Sequence, residues 1–187
     1  MNVQTQIKRT AAEEALLAAF AERGTKLPGD AKVAERREEA VLLLQRGLPN
    51  RKVEAWHYTD LRRLLSAVPS FDAGGPAAPR APLLEGSFVL PVLNGVATPP
   101  LAIDGVAVSK VADRLADGSL APLLRLEGSD DTVSAINAAF AADGFVVDVP
   151  AGAEVAAPIE LQNIQAGGQV HTRFAVTVGE GAKATFV

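Results

Sequence analysis

The chain has 187 residues, 48% of them hydrophobic and 21% charged, with no Cys, one Met, one Trp, one Tyr and two His. A chain of this length buries on the order of 70% of its unfolded surface, enough for a core without disulfide or metal staples. The lack of Cys excludes thiolate zinc sites, cysteine-ligated iron–sulfur clusters and a thiol nucleophile from these residues. The net charge of −4 is unevenly divided: residues 1–66 carry 12 Lys and Arg against 9 Asp and Glu, and residues 67–187 carry 6 against 13. Two regions with different surfaces follow, and a general nucleic-acid binder is disfavoured.

At the N-terminus, Met1-Asn2-Val3-Gln4-Thr5-Gln6-Ile7-Lys8-Arg9 lacks the apolar core of a signal peptide, and no apolar run in the chain approaches the ~18 residues of a membrane span. A cytoplasmic protein is expected. Thr10-Ala11-Ala12-Glu13 is a capping box, so a helix should run to about Arg23, with Leu16, Leu17 and Phe20 on one face and Gly24 as its stop. Asp30 should cap a second helix, with Val33, Ala40, Val41 and Leu44 inward and Arg36, Arg37, Glu38 and Glu39 outward, ended by Gly47 and Pro49. This amphipathic helical hairpin needs a cover. The next segment, Gly47 to Leu61, holds the only Trp, the only Tyr and one of the two His, and Thr59 or Asp60 can cap a short helix through Leu65.

Pro69, Gly74, Gly75, Pro76, Pro79 and Pro82 then mark a linker. Short strands are expected at 87–90 and from 102–103 to 106–108, around an Asn94-Gly95 turn. Ser109 should cap a helix to about Ala116, and another should run from Asp130 or Asp131 to Asp143, with Val133, Ile136, Asn137 and Phe140 on one face and Gly144 beyond. From Phe145 the chain becomes β-type, with runs at 145–149, 159–161, 174–178 and 184–187 separated by Gly, Ala and Pro turns. Val149-Pro150-Ala151-Gly152-Ala153-Glu154-Val155 recurs loosely as Val178-Gly179-Glu180-Gly181-Ala182-Lys183-Ala184, 29 residues later, the kind of return a stacked solenoid needs. Because the sequence stops inside an apolar run at Thr185-Phe186-Val187, it reads as the front portion of a longer polypeptide.

Several of these stretches are similar to one family. Gly47-Leu48-Pro49-Asn50-Arg51-Lys52-Val53-Glu54-Ala55-Trp56-His57-Tyr58-Thr59-Asp60-Leu61 resembles the signature near the start of SufD-type members of the SufB/SufD family of the SUF iron–sulfur cluster assembly system, with His57 where Lys or Arg is usual. Val92-Leu93-Asn94-Gly95-Val96, then Ala135 to Gly144 continuing through Val149–Val155 to Pro158-Ile159-Glu160-Leu161, and finally Val178 to Thr185 resemble further elements of that family in the same order, with Ile136 where Leu is common. The resemblance implies a mixed α and β fold: a helical N-terminal region (1–66), a linker (67–84), a small α/β segment (85–144), and the opening coils of a right-handed parallel β-helix (145–187), a single-stranded β-solenoid cut short. It implies a non-catalytic scaffold that acts in complex with SufB and the ATPase SufC through a missing C-terminal part, with a homodimer also open. The cluster is then assembled on the full complex and no cofactor is bound by these residues. No catalytic, cofactor-binding or metal residue carries over.

Two residues remain as candidates for other chemistry. His57, between Trp56 and Tyr58, could ligate a metal or act as a base, but no second His, Cys or carboxylate stands at ligand spacing, so we read Trp56-His57-Tyr58 as an aromatic anchor with Trp56 buried. His171, entering a strand after Gly167-Gly168-Gln169-Val170, could serve as the base of a β-solenoid acyltransferase, the alternative function, although the apolar positions do not repeat at six. Gly167-Gly168 and Gly179-Glu180-Gly181 lack the strand-to-helix context of phosphate loops. The basic pairs Arg36-Arg37, Arg51-Lys52 and Arg62-Arg63 are interleaved with Glu35, Glu38, Glu39, Glu54 and Asp60, which cancel the field a nucleic-acid backbone needs.

Overall fold

The structure, a computed structural model, describes residues 8–71, 74–126, 128 and 131–187. It divides into two compact units: the described residues of 1–27, 31–69 and 121–140 form the first, and those of 28–30, 70–120 and 141–187 the second.

The first unit is helical. Helix α1 (Ala11–Arg23) starts at the Thr10 capping box as expected, with Ala12 and Leu16 buried. It does not end on a left-handed glycine: Gly24 has φ −52° and opens a short 3-10 turn, and its bare Cα makes room for the Phe20 ring. Helix α2 (Ala31–Leu44) buries Val33, Ala40, Leu43 and Leu44. Arg37 departs from expectation, being 3% exposed rather than outward, because it occupies the i, i+4, i+7 stripe of Val33 and Ala40. Its guanidinium Nη1 donates to the carbonyls of Ala138 (3.2 Å) and Ala139 (2.9 Å). Those are last-turn carbonyls of α5 (Thr132–Phe140, numbered in chain order), which have no acceptor role inside their own helix. Helix α5 thus covers α2, and the Phe140 ring meets Phe20 of α1 edge to face at 5.9 Å.

Two features of α5 correct the sequence reading. Its buried side is Thr132, Ala135, Ala138, Ala139 and Phe140, while Val133 is half-exposed, since small residues permit the close approach to α2. It also ends at Phe140, so Asp143 and Gly144 are strand residues. Asp131 accepts from the Ser134 amide at the helix start, and Asp130 lies outside the described residues. Helix α3 (Leu61–Leu64) follows its Asp60 cap, whose carboxylate accepts from the Arg63 amide.

The second unit contains two three-stranded sheets. In one, β1 (Phe88–Leu93) pairs antiparallel with β2 (Val96–Ala97) and parallel with β5 (Ile159–Ile164). Asn94 (φ 47°) and Gly95 (φ 82°) form the turn between β1 and β2, the type I′ geometry that Asn-Gly favours. In the other, β4 (Asp143–Val149) lies between β3 (Ala107–Lys110), antiparallel, and β6 (Thr172–Val178), parallel. Helix α4 (Val111–Ala116) follows β3 directly; Ser109 belongs to that strand and caps nothing, and Lys110 stands at the cap position. Both sheets contribute to one core of Leu90, Val92, Ala97, Ile103, Phe145, Val147, Val149 and Ile159. β4 is buried along nearly its whole length, as a central strand must be, whereas β6 is half-exposed and then exposed.

This overturns the expectation of a right-handed parallel β-helix with 145–187 as its first coils. A parallel solenoid needs every neighbouring strand to run the same way, but each sheet here has three short strands and one antiparallel pairing. The 29-residue recurrence is instead the register of one parallel pair, Asp143↔Thr172 through Val149↔Val178, extended by a bridge between Glu154 and Lys183. Residues 184–187 form no strand, only an isolated bridge from Phe186 to Ile159. Gly144, φ 145°, sits where β4 and β6 approach so closely that a Cβ would collide with the Arg173 carbonyl oxygen.

Among the described residues of 67–84 the expected linker has no helix or strand of its own, yet side chains tie it down. Gln162 accepts from the Arg80 amide (3.0 Å) and donates to the Arg80 carbonyl (3.0 Å), taking the place of a neighbouring strand. The buried Glu160 carboxylate accepts from the Leu83 amide at 2.7 Å and from Gln162 at 2.7 Å.

Candidate functional site

The Gly47–Leu61 segment is organised by a residue outside it. Glu13, 2% exposed, completes the capping box through Oε2, which accepts from the Thr10 amide at 2.6 Å, while its Oε1 accepts from the Leu48 amide at 2.8 Å. Arg62 Nε lies 3.1 Å from Oε1, off the hydrogen-bond direction and so a charge contact, while its Nη2 reaches Oε2 at 3.4 Å and also donates to the Lys8 carbonyl. One buried carboxylate therefore joins the start of α1, the entry to the segment and α3. Gly47 fits this node twice over: its φ of 94° is costly for other residues, and a Cβ there would press on Glu13 Oε1 at 3.2 Å. The sequence announced Glu13 as a cap; its second partner, 35 residues away, had no local signal.

Beyond the node the segment turns outward. Asn50 Oδ1 accepts from the Lys52 amide, the Asn50 carbonyl from the Val53 amide, and the Pro49 carbonyl from the Arg62 amide. Between this turn and α3 lies an open groove of about 410 Å³ lined by Asn50, Arg51, Lys52, Asp60, Arg62 and Arg63. Trp56 is half-buried, in a short 3-10 turn (Glu54–Trp56), rather than the buried anchor expected. Tyr58 is 86% exposed, and the exposed His57 ring rests on it at 3.5 Å. The aromatic triplet therefore points more to the surface than its composition suggested, because a 3-10 turn of three residues has no second face to bury.

His171 lies in the second unit. Its Nε2 is 2.6 Å from Gln169 Oε1, its ring faces Phe71 at 5.8 Å, and burial lowers its pKa to about 4. The imidazole is thus neutral at physiological pH, and a group this weakly basic is a poor general base there. His57 and His171 belong to different units, and among the described residues no group of three or more His, Asp or Glu could hold a metal ion. No helix among them is long and apolar enough to cross a membrane.

No protein-family model matches the sequence, and no curated protein matches it. The likeness to the SufB/SufD family therefore rests on the four motif stretches alone.

Proposed function

We propose that the protein is a non-catalytic scaffold subunit for iron–sulfur cluster assembly, a SufD-like component acting in the cytoplasm with SufB and SufC homologues. The observation that carries this reading is how the most distinctive motif is built. Gly47, Leu48 and Pro49 fasten it through the Glu13 node and the Arg62 amide, while Arg51, Lys52, His57 and Tyr58 stay at the surface. A fixed base with an exposed aromatic and basic crest suits a contact element better than a reaction site. The iron–sulfur cluster is cargo assembled on the complex.

Affinity purification of the tagged gene product from its own cells tests the proposal. SufB-like and SufC-like subunits should copurify, and depletion should lower the activity of iron–sulfur enzymes. Recovery without them, together with acyl-CoA turnover abolished by His171→Gln, would replace the scaffold reading with the acyltransferase one.

A further inference from the structure

The groove beside α3 holds a charge imbalance that the protein does not use internally. Of its four cations, Arg62 is taken by Glu13 and the Lys8 carbonyl. Arg51, Lys52 and Arg63 are exposed, and among the described residues no carboxylate stands within ion-pair distance of any of them. The one acid in the lining, Asp60, is occupied as the α3 cap. Exposed apolar side chains flank these cations in sequence: Tyr58 at 86% and Leu64 at 69%. Holding three like charges on one short turn-and-helix unit is unfavourable unless something neutralises them.

We propose that this groove docks an acidic peptide segment of a partner protein, with Arg51, Lys52 and Arg63 receiving carboxylates and Tyr58 and Leu64 receiving an adjoining apolar side chain. The proposal concerns this surface alone and does not depend on the scaffold reading. A free phosphate would be held best by converging donors in an enclosed site, and this groove is open. A nucleic-acid backbone presents uniform charge, which Glu54 in the adjoining 3-10 turn opposes, and it has no use for Leu64. Discrete carboxylates spaced along a peptide can meet the three cations while avoiding Glu54. The mixture of Arg, Tyr and an apolar neighbour is also the composition enriched at protein contacts.

The test is fluorescence anisotropy of a labelled ten-residue peptide of alternating Glu and Leu on the 187-residue chain at low salt, with Trp56 emission as a second readout. Binding is expected, weakening as salt rises. The double reversal Arg51→Glu/Lys52→Glu should lower affinity about tenfold, the milder Arg51→Gln/Lys52→Gln by less, and Arg36→Glu on α2 not at all. Circular dichroism checks that each variant is folded. Failure of the peptide to bind, equal binding by the double reversal, or equally tight binding of inorganic phosphate or a single-stranded oligonucleotide at the same groove would overturn the proposal.

Discussion

Each of the two units is braced by a buried carboxylate, and the two carboxylates work in different surroundings. In the helical unit, Glu13 is the joint itself: it ties the Thr10 and Leu48 amides and Arg62 together where no backbone ladder is available. In the sheet unit, Asp143 accepts from the Ala97 amide (2.8 Å) and the Ala112 amide (3.1 Å) and faces Lys110 at 3.5 Å, but it does so at the end of a strand already paired on both sides. A polar node matters most where it stands in for backbone pairing. Where ladders and an apolar core already hold the strands, the sensitive points are those of close approach.

The largest expected effect is therefore a methyl group in the sheet unit. Gly144→Ala places a Cβ against the Arg173 carbonyl at a φ of 145°, and should cost on the order of 4 kcal/mol or prevent folding. Thermal denaturation gives the answer, and a variant as stable as the parent would mean that β4 and β6 are not in contact there.

The carboxylates come next and test the comparison directly. Glu13→Ala strands two amides and leaves the Arg62 charge without its counter-ion, for a loss of about 3 kcal/mol. Asp143→Ala should lose about 2 kcal/mol, since its lysine partner is partly solvated and the ladder remains. Urea unfolding of both variants measures the difference, and a larger loss at Asp143 would reverse the ranking of the two nodes.

An effect of about the same size as that at Asp143 depends on pH and belongs to the sheet unit. The His171 pKa is about 4 in the folded chain against 6.5 for the free side chain, so between these values the unfolded chain holds more protons. Stability from the neutral imidazole is complete above pH ~6.5 and is lost as pH falls toward 4, a change on the order of 2 kcal/mol after allowing for partial solvent screening. An NMR titration of the ring proton should give a midpoint near 4, and His171→Phe should flatten the acid limb of the stability curve. A midpoint near 6.5 would show that the ring is not shielded from water.

Much of the local structure was legible from residues a few positions apart. The Thr10–Glu13 box and the Asn94-Gly95 turn needed only nearby atoms to form and stand where the sequence placed them, and the cap of α3 is Asp60, one of the two residues, Thr59 or Asp60, that the sequence offered. The Gly47–Leu61 segment was also singled out by composition. Its exposed His57–Tyr58 crest was not foreseen, because burial depends on what packs against a residue and not on its own hydrophobicity.

What tertiary structure alone decided was pairing across distance. Arg37 reads as a surface cation until α5 brings its last carbonyls, about a hundred residues away in sequence, to the guanidinium. The β-type texture after Phe145 is equally compatible with a stacked coil and with two small mixed sheets, since strand period specifies which face is buried and leaves open the direction in which the neighbour runs. Direction was settled by the tight Asn94-Gly95 hairpin and by β3 alongside β4, both antiparallel. The sequence itself marked the apolar runs from which β1, β4, β5 and β6 are built. Their partners were chosen by which distant segments could bury the same apolar face while pairing the backbone of the central strands.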